Sequence, residues 1–192
     1  MPRAPRFSAI TLVLAVLLAG CSGPAASFDP SGPCTTDGRA PGAYPEIEAL
    51  VPRRYREEAP ATLDSGRNCS AANLGPLASA GISEVRFAGA TWSFGAERAV
   101  VLAIFQGNRL TADALANFYL QGAQAAPRTT ILAATEQIVA GRRGSRLDTK
   151  SGERLQTVVV WPSTQRDTVN VVISNDLPDE RIQEATDAFA ER

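Results

Sequence analysis

No histidine occurs anywhere in the chain, and that single absence removes several chemistries at once. Ser-His-Asp and Cys-His catalysis, the commonest general base near neutral pH and imidazole ligation of metals are all excluded. Lysine occurs once, at Lys150 in a polar Asp-Thr-Lys-Ser-Gly turn, where nothing desolvates it enough to make a Schiff-base amine. Methionine is confined to Met1 and aromatic residues make up 6% of the chain. Basic residues are not in excess, the formal net charge being −1, so a nucleic-acid partner is not expected. Gly141-Arg-Arg-Gly144 has neither the spacing nor the lysine of a phosphate loop. Carboxylates are the only general acid-base groups left, and no catalytic, cofactor or metal-ligating set is expected.

What is present begins at the amino terminus. Arg3 and Arg6 precede an apolar run from Phe7 to Leu18, the charged-then-apolar layout of a signal peptide. At about twelve residues the run is shorter than the roughly twenty needed to span hydrocarbon as a helix. It leads into Leu18-Ala19-Gly20-Cys21, which resembles a bacterial lipoprotein lipobox. The resemblance implies that residues 1–20 are removed, that the Cys21 sulfur carries diacylglycerol and that the new amino terminus is acylated as well, for example with palmitate. At about 0.8 kcal/mol per buried methylene, two or three chains anchor stably where one is marginal. The implied location is the cell membrane, facing outside the cytoplasm. Ser22 rather than an acid follows Cys21, which in a diderm cell implies the outer membrane. Losing Arg3 and Arg6 leaves 17 basic against 20 acidic residues, so the acyl chains rather than charge hold the protein to lipid.

With Cys21 committed to lipid, Cys34 and Cys69 remain as an even pair where disulfides persist, and a bridge between them is expected. Two free thiols on a metal is the competing reading, but there is no Cys-x-x-Cys spacing and no histidine to complete the set. Residues 21–72, rich in Gly, Pro, Ala and Ser, read as a tether. Within it Ile47, Leu50 and Val51 have the spacing of a short helix stopped by Pro52, and a Cys34–Cys69 bridge requires this piece to lie against the folded domain. The run Arg53, Arg54, Arg56, Glu57, Glu58 reads as solvated surface. Asn68-Cys69-Ser70 matches a glycosylation triplet but is discounted in a chain with a bacterial signal.

Residues 73–192 are expected to form a single α+β domain. Val85 and Phe87 alternate, then Trp92 and Phe94 continue with the phase shifted by one, which suggests a strand with a bulge at Gly89 or two short strands. Ala99 to Phe105 is a continuous apolar run suited to a central strand. Thr111 to Ala126 reads as a helix with Thr111 as N-cap and a stripe of Leu115, Phe118, Tyr119, Gly122 and Ala126. Thr130 to Val139 is strand-rich with a break near Ala134, and Arg142 to Asp148 reads as a polar sheet edge. Lys150-Ser151-Gly152 is a hairpin turn, and Leu155–Trp161 with Thr168–Ser174 forms an antiparallel hairpin. A last helix starts near Pro178 with Ile182, Ala185 and Phe189 on its apolar face. The expected fold is an antiparallel sheet of about five to six strands with two helices packed on a sheet face.

This element order is loosely similar to small envelope lipoproteins with a PsbP/Mog1-like sandwich over roughly residues 80–192, which implies a non-enzymatic accessory or ligand-binding module. Asp176 with Asp179 or Glu180 is explained by helix capping, and Arg142, Arg143 and Arg146 by a charged sheet edge. Trp92 and Trp161 read as core residues. The expected function is that of a membrane-anchored envelope lipoprotein, non-catalytic, binding a protein partner or a small apolar ligand. A carboxylate-dependent envelope hydrolase and a structural spacer are the alternatives.

Overall fold

The computed structural model describes residues 28–189. The chain opens with β1 (Gly38–Ala40), the one-turn helix α1 (Pro45–Glu48), β2 (Thr62–Asn68) and the short helices α2 (Ala71–Leu74) and α3 (Pro76–Ser79). It continues through β3 (Val85–Ser93), β4 (Ala99–Gln106) and α4 (Ala112–Ala125). The carboxyl-terminal half is β5 (Thr129–Val139), β6 (Arg142–Ser151), β7 (Arg154–Pro162), β8 (Thr168–Asn175) and α5 (Asp179–Asp187).

The eight strands form one antiparallel sheet in the order β1-β2-β3-β4-β8-β7-β6-β5. The α+β class with an antiparallel sheet stands, but the sheet has eight strands, not five to six. Each half is a four-strand series followed by a helix, and the halves join where β4 pairs with β8. The two extra strands, β1 and β2, come from residues whose composition reads as tether. Tyr44, Ile47, Val51 and Tyr55 are each at most 4% exposed, so the domain includes residues well before 73.

Both faces of the sheet are apolar. On one lie Trp92, Leu102, Val172, Val159 and Trp161, covered by α1, the residues after it and α5. On the other lie Val85, Ala103, Val171, Val158, Val160 and Leu147, covered by α2, α3 and α4. The two longer helices therefore lie on opposite faces. Each buried valine, leucine or isoleucine contributes about 1.5–3 kcal/mol, and strands β4 and β8, apolar on both faces, contribute on both. The run Ala-Val-Val-Leu-Ala-Ile-Phe in β4 and Val-Asn-Val-Val-Ile in β8, broken only by Asn170, are the sequence form of that burial.

The same two-sided burial corrects the reading of β3. It is one regular nine-residue strand, and Gly89 pairs in step with Asp64 and Ala103. The phase shift marks a change in which face is buried: Val85 packs with Val171, and Ala88, Ala90 and Trp92 pack on the opposite side. The irregularity in β5 falls at Leu132, between Ile131 and Ala133, close to the expected break. β5 is the sheet edge, and β6, polar as it is, lies one strand in. Thr111 caps α4, its Oγ accepting from the Ala114 N–H at 3.1 Å.

A Cβ on Gly89 would meet Val101 and Ala103 side chains at 3.6 and 3.7 Å, ordinary contact distances. One on Gly144 would lie 2.7 Å from the Val160 carbonyl oxygen and 2.9 Å from the Trp161 Cβ. Gly89→Ala is expected to leave stability unchanged or raise it by up to about 1 kcal/mol, whereas Gly144→Ala lowers it by roughly 1–3 kcal/mol. Chemical denaturation of the two variants beside the parent checks this, and similar losses in both would refute the regular-strand description of β3.

Candidate functional site

Cys21 lies outside the described residues. Cys34 and Cys69 are joined in a disulfide with Cα atoms 5.6 Å apart, and the bridge belongs to a larger staple. Asp37 accepts hydrogen bonds from the Cys69 N–H (2.5 Å), the Ser70 N–H (2.9 Å), the Ser70 hydroxyl and the Asn73 side-chain amide (2.8 Å). Arg67, 2% exposed, donates to the carbonyls of Thr36, Gly32, Asp29 and Pro33 at 3.4, 2.7, 3.1 and 2.9 Å. Its guanidinium also lies over the Phe28 ring at 5.6 Å. Oriented carbonyl dipoles thus satisfy a buried cation. The staple carries no open coordination or reacting group, and its role is to hold residues 28–40 on β2.

The rest of the amino-terminal cover is fastened similarly. The Tyr55 hydroxyl donates to the Arg181 carbonyl at 2.9 Å, and the Trp92 indole N–H donates to the Glu58 carbonyl at 3.0 Å. Trp92 and Trp161 are 2% and 1% exposed, as core residues. The arginines of β6 do not converge. Arg143 pairs with Glu136, Arg146 bridges Asp148 and Asp179, and Arg142 donates to the Ser163 carbonyl. Asp176 accepts from the Leu155 N–H and Asp179 pairs with Arg146, so these two acids at the start of α5 are tied to different structural partners.

Of the open spaces on the surface, two flank α4. A groove of about 460 Å³ runs along its carboxyl-terminal half, and a second of about 280 Å³ opens on its other side toward β5. Tyr119, Leu147 and Val158 border both. The larger groove adds Phe118, Gly122, Ala123, Ala126 and Leu155, giving a largely apolar channel. The α4 stripe Leu115, Phe118, Tyr119, Gly122, Ala126 thus packs on the sheet at its start and lines open space toward its end. Helical spacing supplies the stripe. The strands below it turn polar at one end (Thr149 and Ser151 of β6, Gln156 of β7 and Asn175 of β8), and the helix does not close on them.

Tyr119 packs edge-on against Phe118 and Phe105 at 5.5 and 6.5 Å, and burial pushes its phenol well above the ordinary range. It is therefore a neutral group at physiological pH. At the groove mouth Arg154 forms an ion pair with Glu97. Glu97 and the preceding Ala96 have left-handed φ values of 67° and 47°, as the tight turn closed by the Arg98 N–H on the Gly95 carbonyl requires. In the sequence Phe118 and Tyr119 belong to a helical stripe that reads as packing against a sheet, and Glu97, Arg154, Gln156 and Asn175 carry no signal as site residues. Glu97 lies in the β3–β4 turn, Arg154 and Gln156 on β7 and Asn175 at the end of β8, and the β4–β8–β7 order brings them together. Among the described residues no helix is long and apolar enough to cross a membrane. No protein-family model matches the chain, and neither does any curated protein.

Burial of Asp37 opposes its ionisation, but the hydrogen bonds from Cys69, Ser70 and Asn73 outweigh it and hold the carboxyl below its usual range. A carboxyl with a depressed folded pKa contributes stability that is present above its unfolded value, near 3.9, and is lost as pH falls through the folded value. Asp37→Asn is expected to cost roughly 1–2 kcal/mol near neutral pH. The difference from the parent should shrink below about pH 4. Urea unfolding at a series of pH values measures it, and a pH-independent difference would show that the charge is not what the hydrogen bonds hold.

Proposed function

We propose that the protein is a lipid-anchored cell-envelope module that binds a small apolar ligand, without catalysis, in the groove beneath α4. The observation that carries this reading is the 460 Å³ channel bordered by Phe118, Tyr119, Ala123, Leu147 and Val158, within the size range of small-molecule sites. Its rim has the character such sites use for orientation: the Glu97–Arg154 pair and the Gln156 amide, which donates to Asn175 at 3.1 Å. A neutral Tyr119 hydroxyl adds a donor that brings no charge into the channel. Anchoring rests on the resemblance of Leu18-Ala19-Gly20-Cys21 to a lipobox. On this reading Cys21 carries diacylglycerol and a further acyl chain, and the described domain faces outside the cytoplasm. The separate structural partners of Asp176 and Asp179, the Leu155 N–H and Arg146, weigh against the alternative of a carboxylate-dependent hydrolase.

Expressed with its signal in a bacterial host, the parent chain should partition into the detergent phase of a Triton X-114 extract, and Cys21→Ser into the aqueous phase; equal partitioning would refute the anchor. For the groove, the informative position is Gly122, where an added Cβ meets nothing within 4 Å. Gly122→Phe should fold with stability at least equal to the parent, because replacing a helical glycine contributes up to about 1 kcal/mol, while its ring fills the channel. The fluorescent apolar probe N-phenyl-1-naphthylamine is expected to bind the Cys21→Ser chain saturably and the Cys21→Ser/Gly122→Phe chain at least tenfold more weakly. Equal binding to both would remove the groove as the site.

A further inference from the structure

On the face of the sheet opposite α4, one polar side chain interrupts an apolar layer. Asn170 in β8 stands directly between Ile104 of β4 and Trp161 of β7, and Val172, two residues on, packs in the core of that face. Asn170 is 8% exposed. Its side-chain amide makes no hydrogen bond among the described residues, yet every fully buried side-chain nitrogen and oxygen there has a partner. The remaining accessibility of the amide is therefore at the pocket it borders, a space of about 290 Å³ left between the end of α1 and the end of α5. An unpaired amide among apolar side chains is destabilising, and a valine would fit the layer better.

The pocket around that amide has a second polar feature and an apolar wall. Trp161 and Phe189 meet edge-on with ring centroids 5.2 Å apart, and with Ile104 they form the wall. Arg142 lies at the rim, exposed. One guanidinium nitrogen donates to the Ser163 carbonyl at 2.7 Å, which fixes the group, and Arg142 joins no ion pair among the described residues.

We infer that this pocket is a second binding site and that it takes the carboxyl end of a short peptide. The terminal carboxylate meets the remaining forked donors of Arg142. The last peptide group pairs with Asn170, whose amide offers one donor and one acceptor side, as a peptide group does. A small apolar side chain rests on Ile104, Trp161 and Phe189. The volume admits one or two small residues. A purely apolar ligand would leave both Asn170 and Arg142 unused, and a neutral polyol would leave the charge of Arg142 unpaired. The site is on the opposite side of the sheet from the α4 groove and does not depend on it.

The test is calorimetric titration of the full chain, purified from membranes in detergent micelles, with N-acetyl-Ala-Ala and with the carboxamide of the same peptide. The acid is expected to bind saturably at one site, and the carboxamide at least tenfold more weakly. Arg142→Gln, a change at an exposed side chain, should weaken the acid at least tenfold and bring it level with the carboxamide. Asn170→Val should abolish binding of both with an unchanged or higher melting temperature, because no protein partner is lost. Gly122→Phe should leave peptide affinity untouched, which separates this site from the groove. Absence of saturable binding of the acid, equal affinity of the parent for acid and carboxamide, or undiminished binding by Asn170→Val would each overturn the assignment.

Discussion

A sheet that is apolar on both faces must be covered twice, and the rest of this structure follows from that requirement. Strands β4 and β8 place Leu102 and Val172 toward one side and Ala103 and Val171 toward the other. Helix α4, with 14 residues, covers one side. Helix α5 has nine and cannot cover the other alone. Residues 44–58 complete that second layer with Tyr44, Ile47, Val51 and Tyr55. A stretch so rich in charge, with two prolines, does not fold by itself. It is held by the Cys34–Cys69 bridge, the Asp37 hydrogen bonds, the caged Arg67 and the Tyr55 and Trp92 bonds to backbone carbonyls. In the chain-entropy model, closing a loop of this size contributes about 4 kcal/mol, a large share of the stability of an ordinary domain.

Both proposed sites occur where that double cover is incomplete. Along α4 the apolar stripe outlasts the apolar part of the sheet, because β6 and β7 turn polar toward Thr149, Ser151 and Gln156, and the helix and strands leave a channel. On the other face the short α1 and the end of α5 do not meet over Asn170. Both openings lie over paired strands of the sheet, and pre-formed openings suit binding without large rearrangement. On the proposed lipidation of Cys21, six residues, or seven chain steps, separate the anchor from Phe28. Fully extended they reach at most about 25 Å, so the frame would be held close to the bilayer surface.

Several elements were legible from the chain alone because their signals are local. The α4 helix announces its cap at Thr111 and its stop before Pro127. The hairpin of β7 and β8 shows strand-length apolar runs with a short polar link, and the burial of both tryptophans follows from their place in those patterns. Other elements were not legible. β2, Thr-Leu-Asp-Ser-Gly-Arg-Asn, reads as loop because its strand state depends on pairing with β3 and on Arg67 finding four carbonyls from a segment more than thirty residues earlier. The phase shift in β3 suggested a bulge because a period-two pattern assumes one buried face, and this strand has two. Asn170 reads as an ordinary strand residue until its neighbours Ile104 and Trp161 are known.

The sequence by itself determined the excluded chemistries, through the missing histidines, and the strand and helix propensities of the carboxyl-terminal half, through periodicity. Pairing of Cys34 with Cys69 followed once Cys21 was read as the lipid-bearing residue. Tertiary structure alone decided that the tether-like segment belongs to the sheet, that the two longer helices lie on opposite faces, and where the openings fall. The physical reason is that period and capping are written within a few residues, whereas cover is a property of what remains exposed after distant strands have paired. A side chain such as Tyr119 or Asn170 becomes part of a candidate site only when the layer above it falls short.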